Sequence, residues 1–308
     1  MPRLTPKELY DNYRKGFSGC LWEEHVFNHL MKVSKYPLFG DASKKIKGSG
    51  KGKLSTPYKS VLKFDKNAYN ERQVTGDCVS HSTRNACDVS RAVEIDVHGD
   101  REGWLARGAT EGIYGARGHG GQGMSCARAA EFVSKYGGVL VRKNYKGVVD
   151  LSKYQGMLGA GWGGRGLPDP IIDLANDHQI KTVSLIRTVE EARDALANGY
   201  GLSVCSNYGF NSTRDKKGFA KVSGSWGHAM AWTACDDTNG EPAFLVQNSW
   251  GKWNDGGHPD WGTIPDGSFL IRSDTAAGML SQNGSYAFSN FNGFPVQKLP
   301  DYGFGEYL

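Results

Sequence analysis

The sequence predicts an α+β protein in which a helical half precedes a sheet half. Two observations carry this. Apolar residues at helical spacing recur as far as Gly199, and beyond it the apolar runs become short, alternating and bounded by Gly, Asp and Asn. Segregated runs of helices and strands point to α+β rather than to alternating βα units. Hydrophobic residues make up 39% and charged residues 22%, which is enough apolar content for a packed core. The 42 glycines point to turns and close backbone approaches rather than a helical bundle.

The elements follow in order. Residues 1–60 are expected to form a helical arm, with PKELYDNYRKG and LWEEHVFNHLMKV as helices. DASKKIKGSGKGKLS then follows as a solvated basic linker. SHSTRNACDVSRAVEI and SCARAAEFVSKYGG read as helices, the second stopped by its Gly pair. GMLGAGWGGRGLP, over 156–168, reads as a Gly-rich loop and PDPIIDLANDH as an amphipathic stretch. TVEEARDALANG is a helix with Thr188 as N-cap, an acidic first turn and Gly199 as its stop. YGLSVCSNY, HAMAWTACD, PAFLVQNSW and GSFLIRS are the expected strands. Residues 287–308, with aromatics among Gly and Asn, read as an extended tail docked on a surface.

Composition excludes several classes of function. The formal net charge of +5 is mild and predicts no nucleic-acid partner. No apolar run reaches the ~20 residues that cross a bilayer, and the opening MPRLTPKELYDNYRKG lacks the apolar core of a secretory signal. The six cysteines do not form a disulfide-dense scaffold, so a reducing compartment with buried thiols is expected. GAGWGG at 159–164 has no strand before it and Pro168 after it, which argues against dinucleotide binding. His25 and His29 lack a third ligand nearby, so no metal site is expected.

One constellation carries chemistry. Cys78 opens a predicted helix, where the unpaired amide ends favour a thiolate. Asp77 before it is placed to cap that helix, and its charge opposes ionisation. His228, at the mouth of a strand, is the matching base. Asn248, at the end of the next strand, can hold the imidazole by its far nitrogen.

QVTGDCVSHSTRNA resembles the nucleophile motif of the papain-like cysteine peptidases, GHAMAWTACDD their histidine strand and FLVQNSWGKW their asparagine motif. GHGGQGMSCARAAEFVSKYGGVL is similar to the family's glycine pair and following helix. TVEEARDALANGYGLSV resembles its acid-rich helix and core strand, and SDTAAGMLSQNGSY its final strand region. The likeness spans residues 61–286, the expected catalytic domain, and implies a two-lobed fold with a helical lobe and an antiparallel sheet lobe.

The resemblance implies peptide-bond hydrolysis without a cofactor. Cys78 would be the nucleophile, His228 the base, Asn248 its orienter and Gln73 the oxyanion-hole amide. Gly120 and Gly121 would pair with an extended polypeptide substrate, and Trp250 would support the site. Gln73 lies five residues before Cys78, one fewer than is usual, and Val79 stands where the family usually has Trp. The family's usual disulfide cysteines and a typical inhibitory pro-segment are absent from the pattern. A register placing His81 at the nucleophile position fits worse, which leaves His81 as a packed helix position.

Two alternatives use the same residues differently. One is an amidase or acyltransferase. The other is a structural protein, in a virus or phage particle for example, that docks on an assembly partner through the arm and tail.

Overall fold

The computed structural model of the protein describes residues 19–66, 71–99 and 106–302. The arm's expected first helix and the last six tail residues lie outside the described residues. The chain begins with β1 (Cys20–Leu21), α1 (Glu24–Val33) and β2 (Leu54–Ser55), followed by the long helix α2 (Cys78–His98). Next come α3 (Glu111–Gly115), β3 (Met124–Ser125), α4 (Cys126–Glu131) and α5 (Gly156–Arg165). The second half holds β4 (Thr182–Leu185), α6 (Val189–Ala197), β5 (Leu202–Arg214), β6 (Ala220–Asp236), β7 (Ala243–Gln247) and β8 (Asp255–Gly256). It closes with β9 (Ser268–Ile271), α7 (Ser273–Leu280) and β10 (Ser285–Ser289).

The main sheet runs in the order β9–β7–β6–β5–β10–β4 with antiparallel pairing throughout, and β2 and β8 add to its flanks. There are two principal cores. The helical one gathers Val79, Cys87, Ile113, Tyr114, Met124 and Val133, and the sheet one Trp226, Trp232, Phe244, Trp250 and Phe269. Helix α2 runs between them, and its small residues explain how it can. A side chain on Gly201 would collide with the Ala86 carbonyl at 2.3 Å, so β5 lies directly on the helix. Ser82 and Ser90 satisfy their buried hydroxyls across this contact, on Ser203 and on the Phe288 carbonyl.

Helix α6 forms where expected. Thr188 and Glu191 make a capping box, and Gly199 leaves the helix at φ 78°.

Several segments depart from expectation. The glycine-rich stretch expected as a loop is helical from Gly156 to Arg165. Here the glycines permit contact rather than flexibility. A Cβ on Gly163 would lie 1.8 Å from the Arg117 guanidinium, and one on Gly159 would lie 3.0 Å from the Glu111 carbonyl. The lysine-rich stretch expected as a solvated linker is fastened. The amides of Gly48 and Gly50 donate to Asp194, and that of Gly52 to Asp237.

The expected boundary of the tail falls inside β10. Phe294 packs on Phe39 and Tyr200 with ring centroids 4.6 and 5.0 Å apart, and the Tyr302 hydroxyl meets that of Ser60 at 2.7 Å. The described parts of arm and tail therefore bury aromatic residues against their own chain. The region expected as a final strand begins with α7 and becomes a strand only at Ser285.

Candidate active site

Cys78 is the first residue of α2, at the helix's positive end. Asp77 does not cap this helix with its side chain, as the sequence had suggested. Its carboxylate instead accepts from the Tyr154 hydroxyl at 2.7 Å, while its backbone carbonyl takes the first helical bond from His81. Tyr154 also receives the Val74 amide at 3.1 Å, so one phenol pins the turn between Gln73 and Cys78 from both ends. Gln122 pins its middle, accepting from the Thr75 hydroxyl and the Gly76 amide.

Beneath this turn lies a buried charge network. Arg142 makes paired bonds to both Glu71 and Glu111, and Arg84 reaches Glu71 at 2.9 Å. Burial alone would raise the Glu71 carboxyl, but Arg84, Arg142 and Arg107 outweigh it and hold the group well below the usual carboxylate range. None of Glu71, Arg142, Tyr154 or Gln122 stands out in the sequence. Arg142, Tyr154 and Gln122 are ordinary polar residues far along the chain from the turn they support, and Glu71, two residues before Gln73, belongs to no motif.

The sheet lobe supplies the second half. His228 lies on β6 and Asn248 just beyond β7. His228 Nε2 lies 2.9 Å from Asn248 Oδ1, which also accepts the Ser249 amide at 2.7 Å. A backbone N–H can only donate, so this bond fixes the oxygen's place. Nε2 must then carry the imidazole proton, leaving the lone pair on Nδ1. Trp250 lies over the imidazole, with centroids 4.6 Å apart and planes 32° apart, and Trp226 and Trp253 close the wall behind it. The tryptophans exclude water from the His228–Asn248 bond. Burial, opposed by the Asn248 hydrogen bond and reinforced by nearby His81, pushes the imidazole down to about 4.

Gln73 is buried with the same group. Its amide oxygen accepts from Ser249 Oγ, its backbone amide donates to the Ser249 carbonyl, and its Nε2 donates to the Thr75 carbonyl at 2.8 Å. The shortened spacing to Cys78 is thus absorbed while Gln73 stays beside the Asn248 loop. Gly120 and Gly121 sit exposed on the loop that carries Gln122, and Arg117 Nε fixes the Gly121 carbonyl at 3.0 Å. His29 contacts Glu131 and Tyr136, each at 3.4 Å.

The cleft between the lobes is filled by the chain's own arm. β1 runs parallel to β3 on the helical side, and the Met124 amide donates to the Gly19 carbonyl at 3.0 Å. On the sheet side, the Gly19 amide donates to the carbonyl of Gly227, the residue before His228, at 2.8 Å. Glu23 anchors the segment through paired bonds from Arg128 at 2.9 and 2.7 Å and one from Ser125 at 2.7 Å. Cys78 and His228 are both 0% exposed. No sign of this arm segment was legible in the sequence, because two strand residues, Cys20 and Leu21, carry no periodic signal.

The expectation of reduced thiols fails at one pair. Cys126 and Cys205 form a disulfide, which ties α4 to β5 with their Cα atoms 6.4 Å apart. The two residues lie in different lobes, and their approach depends on how the lobes meet.

No protein-family model matches the sequence, and no curated protein matches it. Solved structures do. The Amb a 11 cysteine protease of ragweed pollen, in its proform, superposes with TM-score 0.51 at 16% identity, covering 96% of this chain and 77% of that one. Procathepsin B S9 from Trypanosoma congolense gives TM-score 0.50 at 14% identity, covering 94% and 90%. The fold is papain-like. Both superpositions take in more than nine-tenths of this chain. Among the described residues no helix is long and apolar enough to cross a membrane.

Proposed function

We propose that the chain is a papain-like cysteine peptidase held in a closed form by its own arm, with Cys78, His228 and Asn248 as the catalytic group. The observation that carries this is the arm itself. An extended stretch of polypeptide lies in the cleft, bonded through main-chain atoms to Met124 on one side and Gly227 on the other. A cleft that holds backbone in this way suits an extended polypeptide substrate. The solved structures of similar fold include two cysteine-protease proenzymes, which fits a closed form.

In this reading, opening of the arm lets His228 take the Cys78 proton at Nδ1, with Asn248 holding the ring through Nε2. The thiolate attacks the scissile carbonyl carbon, and the oxyanion is met by the Cys78 amide and the Gln73 side chain. His228 then protonates the leaving amine, and the acyl-enzyme forms on Cys78. A water molecule deprotonated by His228 releases the acid. Gly120 and Gly121, exposed beside the pinned turn, would meet the substrate backbone.

The test is labelling with an epoxysuccinyl thiol trap followed by peptide mapping, on the intact chain and after controlled proteolysis of the arm. Labelling of Cys78 that appears as the arm is cut, together with peptide hydrolysis, is the expected result. Preferential labelling of Cys87 or Cys235 would overturn the assignment.

A further inference from the structure

Beside the catalytic group lies a second concentration of sulfur that the proposed peptidase chemistry does not use. The Sγ atoms of Cys20, Cys126 and Cys205 all lie within 4.8 Å of one another. Cys126 and Cys205 share the disulfide between the lobes, and Cys20 is carried by the arm at β1. All three line a cavity of about 260 Å³, together with Trp22, Asn207 and Gly227. A volume of this size admits a small thiol reagent. The third sulfur is therefore both in reach of the disulfide and reachable from outside.

We propose that these three cysteines form a thiol–disulfide exchange site that fastens the arm covalently across the cleft. The proposal rests on the peptidase reading for its consequence, though not for its chemistry. The Cys20 thiolate attacks Cys205 Sγ, the Cys20–Cys205 bond forms, and the Cys126–Cys205 bond breaks. The electron pair leaves on Cys126, which takes up the proton that Cys20 lost. No external oxidant is needed, because one disulfide replaces another.

The direction of attack follows from the surroundings. The Ser203 hydroxyl lies 3.8 Å from Cys126 Sγ and can donate to it as negative charge develops there. That makes Cys126 the better leaving group and Cys205 the sulfur attacked. Before exchange the disulfide links two parts of the body and leaves the arm held by hydrogen bonds and the Glu23–Arg128 pair. After exchange the arm is bonded to β5, and opening the cleft requires a reductant such as a small dithiol.

Burial, and then the charge of nearby Cys78, raise the Cys20 thiol well above the ordinary range. Exchange should accordingly be slow at neutral pH and quicken in mild base. Cys20 thus lies close enough to Cys78 for their charges to interact.

The experiment maps disulfides in the full chain. Wild type, Cys20→Ser and Cys126→Ser are air-oxidised, held at about pH 8.5, near the free thiol pKa, acid-quenched, blocked with N-ethylmaleimide and digested with pepsin. Wild type should acquire a Cys20–Cys205 peptide pair with time while its count of blocked thiols stays constant. Cys20→Ser should keep Cys126–Cys205 alone, and Cys126→Ser should yield Cys20–Cys205 as its main link. In Cys126→Ser, dithiothreitol should raise labelling of Cys78 by about tenfold or more, as expected when an intramolecular tether is cut.

A wild type that retains only Cys126–Cys205, with no Cys20 link in Cys126→Ser, overturns the proposal. Zinc retained by the reduced chain and lost in Cys20→Ser would also overturn it, in favour of a metal site. The two readings separate cleanly. Cross-linking without any hydrolysis sinks the peptidase and leaves the latch, whereas hydrolysis without cross-linking does the reverse.

Discussion

The Gly19 amide donates to the Gly227 carbonyl at 2.8 Å, one residue before His228, while the Gly19 carbonyl accepts from Met124 on the opposite lobe. A single arm residue thus closes the cleft by spanning it. Strand pairing of so few residues is weak by itself, so the closure must lean on its neighbours. The strongest is Glu23, whose carboxylate takes three hydrogen bonds from Arg128 and Ser125.

Replacing Glu23 by Gln should therefore loosen the arm without disturbing the lobes. The lost charge-assisted bonds, discounted for partial exposure, correspond to about a three- to tenfold rise in open population. The rate of Cys78 alkylation by iodoacetamide at constant pH reads this directly. An unchanged rate in a folded variant would show that the pair does not hold the arm.

The catalytic assignment predicts an order of losses. Cys78→Ala should abolish hydrolysis in arm-cleaved protein while costing less than about 1 kcal/mol of stability, since only a small group is removed. His228→Ala should lower turnover roughly a hundred- to ten-thousandfold, the usual worth of a positioned base. Asn248→Ala should lower it less, because the imidazole remains and loses only its orientation. Steady-state kinetics on folded variants checks the order, and a greater loss from Asn248→Ala would reverse the roles.

Much of this was legible in the sequence, for physical reasons that differ by region. The strands of the sheet lobe announce themselves because alternation and bounding turns are local signals, and α6 because its cap and stop flank it directly. Cys78, His228 and Asn248 are legible through the motifs around them. Hidden were the features set by distant neighbours. Helix α5 looks like a loop because its glycines answer to Arg117 and Glu111, which precede it by some forty residues. Asp77 looks like a cap until Tyr154 is seen to claim its carboxylate. The Cys126–Cys205 bond and the arm's crossing depend on how the two lobes meet, which no local pattern records.

Helix α5 gives a stability test. Gly163→Ala puts a methyl 1.8 Å from the Arg117 guanidinium, whose donors are spread over the carbonyls of Tyr114, Gly121, Gly159 and Ala160. Moving that group breaks buried hydrogen bonds, so a loss of about 2 to 3 kcal/mol is expected. Gly161→Ala is the control. Its new methyl meets only the flexible end of Arg165 at 2.9 Å, and the gain in helix propensity of about 0.5 to 1 kcal/mol should offset the adjustment. Denaturant melts of both variants would check this. Equal effects at the two positions would mean that α5 does not pack as described.

The buried state of His228 makes closure sensitive to acid. Burial, the Asn248 bond and the neighbouring His81 of α2 together place its pKa at about 4, against a solvated value of about 6.5. Between those values the open form binds the proton and the closed form does not. Closure is therefore fully favoured above about pH 6.5 and weakens as pH falls through the window towards 4. Glu23 acts in the same sense at lower pH. Burial opposes its ionisation, but Arg128 and Ser125 outweigh this and lower its carboxyl, so its contribution fades once that group protonates. The Cys20 thiol on the arm, raised by burial and then by the nearby Cys78, stays protonated through this window. Histidine carbon-13 NMR, assigned with His228→Gln, should find His228 titrating near 4 in the intact chain. It should move towards 6.5 in Glu23→Gln, where the arm opens more often. The melting temperature of the intact chain should fall from pH 7 to pH 5, and His228→Gln should lose part of that dependence. A His228 that titrates near 6.5 while Cys78 remains protected would mean that the closed site takes up the proton, and acid would then not open the arm.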